Sequence, residues 1–114
     1  MTNDNTKTSP IQHVVLFSFD PELSSEDIQE MKGMISTWKK DIGLMRVCRF
    51  GEDLSRTRTR EYQHLLYTEF ASQEELDAYR VHPSHVNFME WINNRGVKVL
   101  AFDYYIDEST DFLQ

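Results

Sequence analysis

Seven consecutive residues, Tyr79-Arg80-Val81-His82-Pro83-Ser84-His85, hold two of the chain's four histidines and one of its five tyrosines. An imidazole titrates near physiological pH, so it can take or return a proton. A phenol hydroxyl can donate to an oxygen on which negative charge develops. Proline lacks a backbone N–H and has φ fixed near the helical value, so Pro83 suits the first turn of a helix. The residue before it, His82, is pushed toward extended geometry. The spacing therefore predicts a helix ending near Tyr79 or Arg80, a short break, and a new helix from Pro83. His85 then lies in the first turn of that helix, where the positive dipole end disfavours a second positive charge and keeps the imidazole neutral. The plainer alternative is that both histidines simply hydrogen-bond the break.

Such residues do chemistry only if other elements carry them to one place. His13 to Phe19 is β-branched and aromatic and stops at Asp20-Pro21, which predicts a first strand. Alternation puts His13, Val15, Phe17 and Phe19 on one face and Val14, Leu16 and Ser18 on the other. Both faces are largely apolar, so helices are expected over one and a second subunit over the other. Ser24 or Ser25 caps a helix whose Ile28, Met31, Ile35, Trp38 and Ile42 form one apolar stripe, ended by Gly43. A Met and Trp stripe of this kind is ordinarily core. A second strand is expected over Leu44 to Phe50, with Arg46 and Arg49 on opposite faces. A basic run, Arg56 to Arg60, follows as a solvated loop, with an anionic ligand as the sharper alternative.

The third strand, Tyr62 to Phe70, places Tyr62, His64, Leu66, Thr68 and Phe70 on one face. Ser72 and Glu75 form a capping box for the helix carrying Leu76 and Tyr79. The Pro83 helix carries Phe88, Met89 and Ile92 to Gly96. Val97 to Ile106 is the last strand, with Val97, Val99 and Ala101 alternating against Leu100, Phe102 and Tyr104. The order β-α-β-β-α-β, with its second helix broken, is the ferredoxin-like α+β arrangement: an antiparallel sheet with helices on one face. Residues 1–10 are expected to be a disordered arm, 11–107 the domain, and 108–114 a tail whose Phe112 and Leu113 could dock on a neighbour.

The 114 residues suffice for one domain with a proper core. A formal net charge of −7 argues against nucleic acid or an anionic membrane as main partner. No apolar run reaches membrane-spanning length and the N-terminus has no signal core, so a cytoplasmic location is expected. The lone cysteine, Cys48, has no disulfide or metal-ligand partner and is expected to be a small core or interface residue, not a nucleophile. A three-histidine metal site is conceivable, but no carboxylate or cysteine accompanies His82 and His85 in a recognised ligand spacing, so no metal is expected.

HVVLFSFDPELS, GEDLSRT, YQHLLYTEFASQEELDAY, HPSHVNFMEW and VLAFDYY, in this order, resemble the stress-responsive A/B barrel (Dabb) family over roughly residues 12 to 106. The resemblance implies a ferredoxin-like unit whose sheet packs face to face with a second copy, a dimeric α+β barrel. Some members of the family look like plain stress-induced proteins. One class, the plant olivetolic acid cyclase type, closes a linear polyketide thioester by aldol condensation without a cofactor. The residues implied there match His85 as base, Tyr79, and the strand histidines His13 and His64. Around them Phe17, Leu66, Trp38 and Phe88 are expected to line an apolar substrate pocket with a few convergent polar groups. Trp38, Met31, Met34 and the more basic loop 55–60 depart from that class. The reading that follows is a cofactor-independent polyketide cyclase-like lyase, acting as a homodimer on a small hydrophobic ligand. The alternative is a non-catalytic ligand-binding or stress-response barrel.

Overall fold

The computed structural model describes residues 9–113. The expected arm at 1–10 thus lies outside the described residues, apart from Ser9 and Pro10. Pro10 is tied down, since its carbonyl accepts the Ile106 N–H at 2.9 Å.

The strands are β1 (Ile11–Phe19), β2 (Met45–Glu52), β3 (His64–Phe70) and β4 (Val97–Tyr105). They form one sheet in the order β2-β3-β1-β4, with every neighbouring pair antiparallel. The helices are α1 (Ser25–Ser36), α2 (Trp38–Asp41), α3 (Gln73–Val81) and α4 (Pro83–Asn93), and a 3-10 turn follows at Glu108–Thr110. This is the ferredoxin-like α+β fold. The core is the sheet face carrying Val15, Phe17, Phe19, Leu66 and Phe70, closed by Met31, Ile35, Trp38, Leu76, Tyr79, Phe88 and Ile92 from the helices.

The opposite face bears Leu100, Phe102 and Tyr104 of β4, all exposed, beside the half-buried Val14 and Leu16. Phe102 is 68% exposed, a large apolar surface to leave wet.

Several boundaries differ from the sequence expectation for local reasons. The first helix stops at Ser36 instead of running to Ile42. Ser36 Oγ donates to the Gly33 carbonyl at 2.7 Å and Thr37 Oγ1 to the Met34 carbonyl at 2.9 Å, side-chain bonds that compete with the helical ladder. The chain restarts as α2 at Trp38, and Gly43, at φ +70, ends it. β3 begins at His64, not Tyr62, because a turn holds Tyr62: its N–H meets the Thr59 carbonyl at 3.1 Å, and Thr59 Oγ1 meets its carbonyl at 2.6 Å.

A bulge between Met45 and Val47 shifts the parity of β2. That shift puts Cys48 opposite Thr68 on the helix-side face. Because β2 is an edge strand, Cys48 is exposed, so it is not a core residue of the single chain. Arg56 of the basic loop is paired with Glu22 at 2.8 Å and Glu52 at 3.3 Å, which favours the solvated loop over an anion site.

Candidate functional site

Ser72 opens α3: its side chain accepts the Glu75 N–H at 3.3 Å, and the Glu75 carboxylate reaches back to the Ala71 N–H at 3.2 Å. The helix places Tyr79 inward, 1% exposed, and ends at Val81. His82 then turns extended, at φ −65 and ψ 137, and Pro83 starts α4. His82 Nδ1 accepts the Ser84 N–H at 3.1 Å, so this histidine is the N-cap of α4.

The break folds α4 back so that His85 meets Tyr79, with ring centroids 4.2 Å apart. The backbone explains His85's orientation. The Arg80 carbonyl belongs to the last turn of α3 and lacks the partner a continuing helix would supply. Pro83 has no N–H, and Ser84's is taken by His82. His85 Nδ1 lies 3.1 Å from that carbonyl. A carbonyl can only accept, so Nδ1 carries the hydrogen and Nε2 holds the lone pair. Burial pushes the His85 pKa down, and the Arg80 charge, with any positive charge placed on His13, acts in the same direction against the bond to the Arg80 carbonyl. The dipole argument from sequence pointed the right way, but burial is the leading cause.

Burial pushes the Tyr79 hydroxyl pKa up, so it stays a donor throughout the physiological range. Among the described residues it has no hydrogen-bond partner, and Tyr79 lines the cavity described below.

His13 reaches the same place from β1. The β1–β4 register sets it opposite Asp103, and its Nδ1 bonds the Asp103 carboxylate. The other Asp103 oxygen accepts from Arg80 Nη2 at 2.9 Å. His13 lies 6.1 Å from Tyr79, ring to ring, edge-on.

These groups edge a cavity of about 170 Å³. His13, Tyr79, Arg80 and His85 supply its polar end, and Val15, Phe17, Leu66, Phe88 and Met89 its apolar wall. Its open side is β4, where Val99 and Ala101 are exposed.

Two residues expected in this lining are elsewhere. His64 shares the helix-side face as parity requires, but it pairs with Phe17, four residues along β1 from His13, about 13 Å at roughly 3.3 Å per residue. There its ring sits between Phe19 and Phe50, at 6.0 and 5.5 Å. Its Nδ1 is buried without a partner among the described residues, and burial pushes its pKa down. Trp38, starting α2, stands behind the site, edge-on to Tyr79 at 5.6 Å and Phe88 at 5.1 Å. It backs the cavity without lining it. Asp103 and Arg80 are site residues to which sequence reasoning gave no role. The alternation Val97, Val99, Ala101 continues to Asp103, so a carboxylate on that apolar face was the available signal.

The family model for the stress responsive A/B barrel domain matches residues 11–106. The chain belongs to this Dabb family. A relative within it, the stress-response A/B barrel domain-containing protein HS1 of Arabidopsis thaliana, is 32% identical over 96 residues, 83% of this chain and 88% of the relative. The olivetolic acid cyclase of Cannabis sativa is 26% identical over 95 residues, 82% of this chain and 94% of that enzyme. Among solved structures, a hydroxynitrile lyase from Passiflora edulis superposes with a TM-score of 0.77 at 18% identity, covering 89% of this chain and 96% of that one. A dimeric ferredoxin-like protein of unknown function from Thermobifida fusca gives 0.76 at 18% identity, covering 93% and 99%. At such identity these two superpositions speak for the ferredoxin-like fold alone.

Proposed function

We propose that this Dabb protein is a cofactor-independent lyase of the polyketide cyclase type, working as a homodimer through the outer sheet face. The observation that carries the reading is the His85–Tyr79 pair at 4.2 Å on the rim of an apolar cavity, with His85 Nδ1 engaged by the Arg80 carbonyl. That bond leaves the Nε2 lone pair to take a proton from an acidic carbon between two carbonyls. As that C–H bond breaks, its electron pair moves onto the carbonyl oxygen, and the Tyr79 hydroxyl donates to the enolate. The enolate carbon then attacks a second carbonyl of the same molecule, a C–C bond closes the ring, and the proton held on His85 returns to the new alkoxide. Phe17, Leu66 and Phe88 hold the apolar part of the ligand, and a longer chain would leave by the open β4 side. Likeness in sequence to a cyclase supports this class of chemistry.

The dimer is supported by the exposed apolar face around Phe102 and by fold neighbours described as dimeric. The second reading, a ligand-binding barrel without turnover, draws on one observation: His82 and His85 both bond the break between α3 and α4.

The test is turnover. Purified protein is offered a panel of linear β-polyketide thioesters of increasing length, with aromatic cyanohydrins as a second lyase class. Formation of a cyclic or cleaved product above the uncatalysed rate is expected. Saturable binding across the panel with no product would favour the binding barrel instead.

A further inference from the structure

We propose that Arg80 is the positioning residue of this site, its side chain fixing the orientation of His13 while its main chain fixes that of His85. The inference rests on the reading that both imidazoles serve the cavity. Arg80 stands in the last turn of α3, next to Tyr79, and takes part twice. Its carbonyl accepts His85 Nδ1–H at 3.1 Å. Its guanidinium donates to Asp103 at 2.9 Å, and the other Asp103 oxygen bonds His13 Nδ1. An ionised carboxylate accepts and does not donate, so the His13 hydrogen sits on Nδ1 and its Nε2 is the nitrogen left for a ligand.

Asp103 needs this help because of where it lies. It stands on the edge strand β4, partly exposed, so its carboxylate can turn to water. Val97, Val99 and Ala101, its neighbours on that face of the strand, offer no hydrogen bond from their side chains. Arg80 holds Oδ2, and Oδ1 then faces His13. Asp77, one turn back on α3, lies 3.6 Å from the same guanidinium and steadies it from the solvent side. The charged and titratable groups around His13 are thus Asp103 from β4, and Tyr79 and Arg80 from α3, with His85 from α4. A planar, always-charged fork suits this place better than a flexible ammonium.

The experiment reads the histidine tautomers of the ligand-free protein by long-range proton–nitrogen NMR, in wild type, Arg80→Met and Arg80→Lys, with a melting curve for each. Wild type should show His13 and His85 both protonated on Nδ1. Arg80→Met should leave His85 unchanged, because its partner is main chain, and should shift His13 to a mixture of tautomers. Arg80→Lys should restore most of the His13 signal. If the protein turns over a thioester, Arg80→Met should lower kcat by about 10- to 100-fold with little change in KM.

An unaltered His13 tautomer in folded Arg80→Met would overturn the proposal, whatever the turnover. If that variant does not fold, the Arg80 side-chain N–H signals of the wild type decide instead. Slowed guanidinium rotation supports the clamp, and free rotation contradicts it. Absence of turnover in wild type would sink the cyclase reading and leave the tautomer result standing.

Discussion

His85 and Tyr79, six residues apart in sequence, meet with ring centroids 4.2 Å apart, tilted at 46°, because Pro83 breaks the helix between them. Trp38 backs both rings, at 5.6 Å from Tyr79 and 5.9 Å from His85. The pair is held by packing, so its chemistry can be altered without unfolding it. Tyr79→Phe keeps the ring and removes a hydroxyl that has no protein partner among the described residues. Stability should change by less than about 1 kcal/mol, since no partner is stranded. Turnover should fall by roughly 100-fold, the usual cost of losing one donor to a developing oxyanion. Thermal melts beside steady-state kinetics would check both halves.

Acid should weaken the fold through the buried His64 and the half-buried His85. His85 and His64 both have pKa values pushed down by burial. In the unfolded chain such imidazoles take up protons near pH 6.5, while in the fold they remain neutral. Below that pH the unfolded state binds more protons, so stability falls as pH falls, until the depressed folded values are reached. His64 adds a separate expectation, because its Nδ1 is buried without a partner among the described residues. His64→Leu should be neutral or stabilising at pH 7.5 and more clearly stabilising at pH 5.5. Denaturant titrations at the two pH values measure this, and a loss of stability at both would mean that His64 has a partner in the assembled protein.

Assembly should depend on the outer sheet face. Leu16→Asp or Phe102→Asp would bury an unpaired charge in a face-to-face dimer. Sedimentation should find monomer or aggregate for either variant. A native-like dimer in both cases would move the interface elsewhere.

Cys48 should be chemically quiet. It is exposed on edge strand β2, yet the protein around its sulfur pushes the thiol pKa up, away from thiolate. Alkylation by iodoacetamide at pH 7 should be no faster than that of a free thiol. Cys48→Ala should leave turnover unchanged, and a complete loss with folding intact would make it a catalytic residue.

Local signals in the sequence foretold local structure well. The Ser72–Glu75 box, the Pro83 break and the Gly96 stop all depend on near neighbours in the chain, and each stands where expected. Gly43 ends α2 instead of the first helix, which had already stopped at Ser36. Strand parity placed His13 and His64 on one face correctly. It carried no information on distance along the strand, which the β1–β3 register decides, and that register puts His64 beyond Phe17. Trp38 was legible as core, but the break at Thr37 turned it behind the cavity instead of into it. Asp103 and Arg80 escaped for the same reason. Their meeting requires the β1–β4 register and the fold of α3 over the sheet, and neither is written in any one stretch of sequence.

The central claim is that a neutral His85 takes a proton from the ligand while Tyr79 holds the oxygen. His85→Gln tests it most directly, because glutamine keeps a polar side chain at the site and cannot act as a base near neutral pH. Single-turnover rates on a converted polyketide thioester should fall by about 1000-fold, within the range general-base removal costs, with dimer and melting temperature nearly unchanged. A folded His85→Gln protein that closes the ring at the wild-type rate would contradict the account.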